Sequence, residues 1–215
     1  MAKFLNTFIP LAFNKFGKNA ATNNNLPLFV DGSCRREPDF QNPFPAITQL
    51  CRPGKLVPRL NIGDLVIYIT RSGFYGLSYS HWKFIGILEV IEIANDHLAA
   101  VPFYQTKQIP ISQNIFCHQT SPNPLNLTHG KCGFQHKDFT PQQIVSLWNK
   151  GYIGRAKDHP QIVITKVWND SLNINNPPII THVMMQNIFG RIPGTQNPPA
   201  ISQNEWINFR NVMNI

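Results

Sequence analysis

Two apolar segments, "LVIYIT" at 65–70 and "KFIGILEVIEI" at 83–93, are separated only by "RSGFYGLSYSHW". Both are rich in β-branched residues and read as buried strands. No helical pattern lies between them, so the centre of the chain is a sheet of sequential strands. That arrangement excludes a doubly wound parallel sheet, in which helices alternate with strands. It predicts an α+β protein: a curved mixed sheet or small β-barrel with flanking helices.

Other segments extend this frame. "LPLFVDG" reads as a strand closed at Asp31-Gly32, and Gly63-Asp64 supplies the turn into "LVIYIT". "HLAAVPFYQ" reads as a strand joined through an "ANDH" hairpin turn, and "QIVITKVW" as one more strand. "PAITQLCR", between Pro45 and Pro53-Gly54, reads as a short helix. "TPQQIVSLWNKG" reads as a helix capped by Thr140 and ended by Gly151, with Ile144, Leu147 and Trp148 on one face. "PIITHVMMQNIFG" fits strand or helix, and "SQNEWINFRNVM" reads as a closing helix. Residues 108–140 form a proline-rich irregular insertion. Residues 1–25 read as a flexible basic arm with no cleavage site, or as an amphipathic anchor bearing Lys3, Lys15 and Lys18. Residues 26–215 then form a single domain.

Charged residues make up 14% of the chain, against about 25% in ordinary soluble domains. Within that sparse set the formal net charge is +8. The excess favours a polyanionic partner, nucleic acid before anionic membrane. No run is long enough to span a bilayer. Cys34, Cys51, Cys117 and Cys132 are too widely spaced for a disulfide scaffold, which places the chain in a reducing, cytoplasmic setting. Cys132 and His136 have a zinc-like spacing, but Cys117-His118 are adjacent, His129 stands alone and no C-x-x-C occurs, so no metal is expected. Phosphate-binding loops, dinucleotide fingerprints and hydrolase elbows are missing from the sequence, so no cofactor is expected either.

Two clusters carry candidate chemistry. The link between the strands holds Phe74, Tyr75, Tyr79, His81, Trp82 and Lys83 among glycines and serines. Such rings stack on nucleobases, small residues permit close approach, and hydroxyls read base edges. The same rings serve equally as strand ends and sheet cover. The second cluster is "DGSCRREPDF". Its Arg35 and Arg36 suit bidentate phosphate binding, with Ser33 beside them, and its Asp31 and Asp39 can accept from an exocyclic amine. A solvated loop with local ion pairs explains those residues as well.

The order "LFVDGSCRREPDF", "ITQLCRPGKLVPRLNIGDLVIYIT", "WKFIGILEVIEI" resembles the nucleotide-modification-associated domains of the PUA-like superfamily, which includes EVE, ASCH and YTH modules. The resemblance covers roughly residues 27 to 105 and continues through "GRAKDHPQIVITKVW" to "NPPIITHV". It implies a small curved barrel with a cavity that holds a flipped, modified base in an aromatic cage, with Trp82 and the rings before it as cage candidates. The leading expectation is therefore a domain that binds modified nucleotides or nucleic acid, in DNA modification or phage–host conflict. Arg35, Arg36 and Lys83 would hold phosphate. An alternative is an enzyme that hydrolyses a glycosidic or phosphodiester bond of a modified nucleotide, with Asp31, Glu37 or Asp39 as acid, base or nucleophile and His81 assisting. A third is a basic protein-binding module or inhibitor.

Overall fold

A computed structural model describes residues 1–31, 36–116, 141–194 and 196–215. Strands β1 (Lys3–Phe8), β2 (Ala46–Ile47), β3 (Leu65–Thr70), β4 (Trp82–Ala94), β5 (Ile162–Val167) and β6 (Ile179–Ile180) form one sheet. Its order is β1-β3-β4-β5-β2, with β6 pairing the start of β4. β1 runs parallel to β3, and the other pairings are antiparallel. The sheet curls into a half-barrel, so the fold is α+β with a curved mixed sheet, as the strand pattern predicted.

Register shifts on both sides of β4 accompany the curvature. Gly86 lies at the first of them. A Cβ there would come within 3.2 Å of the Leu172 Cα and the Ser171 carbonyl. Without a side chain at 86, the 171–173 segment lies against the strand, and the Ser171 hydroxyl accepts from the Ile87 amide at 2.8 Å.

β3 is buried on both faces. Val66 and Tyr68 join a cluster with Phe8, Phe40, Leu56, Leu88 and Val90. Leu65, Ile67 and Ile69 face the other way, against Phe84, Ile87 and the helices α4 (His182–Phe189) and α5 (Gln203–Met213). The two-residue period of an extended chain produces this division. α5 is the closing helix expected of its segment, and it begins at a capping box: the Ser202 hydroxyl accepts from the Glu205 amide, and the Glu205 carboxylate accepts from the Ser202 amide. The ambiguous "PIITHVMMQNIFG" is both things in turn, the short β6 and then α4, divided by the Thr181 cap and ended by Gly190 at φ +64°.

Several expectations are corrected. Residues 1–25 are no arm. β1 is paired along its whole length with β3, and α1 (Lys15–Asn24) packs Ala20 and Ala21 against Leu11 and Val30. "LPLFVDG" is not a strand. Phe29 and Val30 are buried in turn structure, and Asp31 forms an isolated β-bridge to Pro10 in place of a strand. "PAITQLCR" contains the short strand β2 instead of a helix, because Ala46 and Ile47 add to the exposed edge of β5. "HLAAVPFYQ" contains α2 (Val101–Thr106). Pro102 occupies its first turn, where no amide hydrogen is needed, and Asp96 Oδ1 accepts from the Ala99 amide before it. α3 (Pro141–Asp158) continues through Gly151 to Asp158. Thr140 and the side chains of Ile144, Leu147 and Trp148 lie outside the described residues, as do Cys34, Cys117, His118, His129, Cys132 and His136. No described helix is long and apolar enough to cross a membrane.

Candidate functional site

Because β1 and β3 are parallel, their carboxyl ends open on the same edge of the sheet. Loops leaving a rigid sheet are common places for functional side chains, because the strands fix their position. A cleft of about 620 Å³ occupies this edge. Thr7, Phe8 and Ile9 supply one wall, Cys51, Arg52 and Lys55 another, and Arg71 with Gln196 the rest. Its described lining holds three cationic side chains and no carboxylate.

The three cations are held differently. Arg52 is built into the fold: Nη1 donates to Asn6 Oδ1, and Nη2 donates to the Thr7 carbonyl at 2.8 Å and the Thr7 hydroxyl at 3.2 Å. This accounts for the burial of Asn6 and Thr7 within β1. The turn that presents Lys55 is tight. Gly54 sits at φ +68°, its amide donates to Gln49 Oε1 at 2.8 Å, and the Lys55 amide donates to the Arg52 carbonyl. Arg71 directly follows β3, its amide bonded to the Phe8 carbonyl at 2.7 Å and its guanidinium 5.6 Å from the Phe13 ring. Lys55 and Arg71 are exposed, and neither has an ion-pair partner among the described residues.

The aromatic link begins at the same edge, since it runs from the end of β3 to the start of β4. Gly73 and His81 close its base by mutual backbone hydrogen bonds of 2.9 Å. Tyr75 adopts φ +41° and packs its ring against Phe13, Phe29 and His81. Its hydroxyl donates to the Arg71 carbonyl, and burial pushes its pKa up to about 12. Phe74 and Tyr79 remain 62% and 48% exposed.

These positions disagree with an aromatic cage. Trp82 is 4% exposed, packed on the His182 ring at 4.6 Å and among Ile180 and Met185, because it is the first residue of β4 on the face that α4 covers. His81 is fully buried. Its Nδ1–H donates to the Tyr79 carbonyl at 3.1 Å, which leaves Nε2 as an acceptor with no partner among the described residues. Lys83 is half-buried, its ammonium donating to the Pro177 carbonyl at 3.2 Å and lying 6.0 Å from the Phe29 ring. Burial lowers its pKa. The rings thus divide into packed ones, Tyr75 and Trp82, and displayed ones, Phe74 and Tyr79.

The acidic loop is also turned inward. Asp31, Arg36, Glu37 and Asp39 are all buried, and Arg36 takes φ +47°. Asp31 Oδ2 accepts from the Glu37 amide at 2.9 Å. Glu37 Oε1 accepts from the Thr48 amide at 2.7 Å, while Oε2 accepts from the Thr48 hydroxyl and from Asn114 Nδ2. Asp39 Oδ2 accepts from the Gln113 amide at 2.9 Å. Burial raises the Asp39 pKa, opposed by the Gln113 and Gln41 amides and by Arg36. The Glu37 and Asp39 carboxylates therefore tie their segment to Gln113 and Asn114, and His81 lies among the rings of Tyr75 and Tyr79. Ser33 and Arg35 lie outside the described residues.

Sequence reasoning missed the cleft cations. The signal that locates them is "CRPGK", two cations around a Pro-Gly turn, followed by an arginine directly after a core strand. It becomes legible only once β1 is known to lie beside β3. No family model, curated protein or solved structure matches the chain.

Proposed function

We propose that the protein binds a phosphate-bearing nucleotide or nucleic acid through the cleft at the carboxyl ends of β1 and β3. The observation that carries this reading is the convergence of Arg52, Lys55 and Arg71 on a cleft whose described lining has no carboxylate. Clustered cations without counter-charges repel one another, and a polyanion relieves that repulsion while releasing its own counterions. Arg52 is held by Asn6 and Thr7, so little side-chain entropy is lost when it meets a phosphate. Lys55 and Arg71, exposed at the rim, strengthen and steer the approach. The net charge of +8 acts in the same direction over a longer range.

Phosphate contacts position a nucleic acid without reading its sequence. Any preference for a modified base therefore has to come from groups beside the cleft, and the displayed rings of Phe74 and Tyr79 are the described aromatic groups with the exposure to supply it. The hydrolytic alternative draws no support from Asp31, Glu37 or Asp39, whose carboxylates bond to the protein's own amides and hydroxyls.

Titrating isotope-labelled protein with a short oligonucleotide and following backbone amide shifts tests the reading. Shifts are expected at Thr7–Ile9, Arg52, Lys55 and Arg71. Saturable binding that leaves those amides unmoved would place the ligand elsewhere and overturn it.

A further inference from the structure

Resting on that reading of the cleft, we infer that its ligand is single-stranded nucleic acid, with the backbone along Arg52, Lys55 and Arg71 and unstacked bases on Phe74 and Tyr79.

The placement follows from topology. β1 and β3 end at this edge, β4 starts there, and the link carrying both rings leaves β3 through Arg71 itself. Tyr75 fastens the link down, with its hydroxyl on the Arg71 carbonyl and its ring against Phe13, the ring that also faces the Arg71 guanidinium. The segment that displays the rings therefore leaves directly from Arg71, a residue of the cleft, and is fastened to it.

The display itself is held by structure. Gly73 and His81 pair at the base, the Leu77 amide donates to the Phe74 carbonyl at 2.8 Å, and Gly76 turns the chain at φ +91°. At the far flank the Ser80 hydroxyl meets His182 Nε2 at 3.2 Å. Between these anchors Phe74, Tyr79 and the 38% exposed Leu77 are kept in solvent on one short segment.

The chemistry of the two parts selects the occupant. A cationic cleft alone accepts any phosphate chain, duplex included. Exposed ring faces gain from a nucleic acid only when its bases are unstacked, because in a duplex each base face is covered by its neighbours. The pairing of an open cationic cleft with a rigid display of rings matches a flexible strand that lays phosphates in one and bases on the other.

Fluorescence anisotropy with a labelled single-stranded oligonucleotide and a hairpin duplex of equal phosphate number, at matched low salt, tests this. The single strand should bind at least about tenfold tighter. Phe74→Ala/Tyr79→Ala should weaken the single strand by about 10- to 100-fold and leave the duplex within about twofold. A melting curve matching the parent checks that this double variant is folded. Equal affinity for both forms, or a folded double variant that binds the single strand like the parent, would overturn the inference. Should Lys55→Ala/Arg71→Ala still weaken both forms in that case, the cleft reading survives alone. If neither form binds, both readings are overturned.

Discussion

The Tyr75 hydroxyl donates to the backbone carbonyl of Arg71, so the aromatic link is fastened to the residue that carries a cation of the cleft. The same ring fills the space between Phe13 and Phe29. Tyr75 is thus a packing residue that sets the position of its neighbours. Tyr75→Ala should destabilise the protein by about 2–3 kcal/mol, toward the lower end of large aromatic truncations because the ring is only partly buried. Denaturant melts check this; a variant as stable as the parent would remove the anchoring role.

Trp82 and Phe74 should respond in opposite ways. Trp82 is enclosed by Ile180, Met185 and His182, and Trp82→Ala should cost about 3–5 kcal/mol. Phe74, 62% exposed, should tolerate alanine within about 0.5 kcal/mol. The two variants melted side by side decide whether the link is divided between core and surface.

Glu37 separates a structural account of the acidic loop from a catalytic one. Glu37→Ala leaves the Thr48 amide and hydroxyl without their acceptor, at about 1–3 kcal/mol for each buried donor. A variant that melts like the parent yet loses turnover on modified nucleotides would favour catalysis instead.

The strands β3 and β4 were legible in the sequence because both are β-branched, apolar on both faces and bounded by turn residues. α5 was legible because Ser202 and Glu205 form a local capping box. β1 was hidden. Lys3, Asn6 and Thr7 interrupt its apolar pattern, and the group that satisfies Asn6 and Thr7 is Arg52, far along the chain. Misreading β1 concealed the parallel pair and with it the cleft lined by Arg52, Lys55 and Arg71, none of which stands out as a cluster in the sequence. The ring cluster was found by composition, but which rings face outward depends on Phe13 and Phe29 arriving from other segments. In the same way, "HLAAVPFYQ" has a strand-like composition, and the features that fit a helix are the Asp96 turn before it and Pro102 in its first turn.

His97 gives a pH dependence. Its Nδ1 accepts from the Phe116 amide at 3.0 Å, which requires the neutral ring, and Nε2 has no partner among the described residues. Burial lowers its pKa from 6.5 to about 4, with Asp96 opposing. The unfolded chain takes up this proton as pH falls below 6.5, and the folded chain resists until about 4. Stability is therefore fully present above 6.5 and is lost between 6.5 and 4, with a slope approaching about 1.4 kcal/mol per pH unit. Urea midpoints across that range should fall more steeply for the parent than for His97→Gln, and parallel curves would contradict the assignment.

The most direct test of the central claim is the salt dependence of oligonucleotide affinity, measured for the parent and for Lys55→Ala/Arg71→Ala. If phosphates lie in the cleft, log affinity falls linearly with log salt, and removing two contacts reduces the slope by about 1.4 for a single strand. The double variant should also bind more weakly at every salt concentration while melting like the parent, since both side chains are exposed. An unchanged slope and affinity in the folded double variant would contradict the assignment of the cleft between β1 and β3 as the nucleic-acid site.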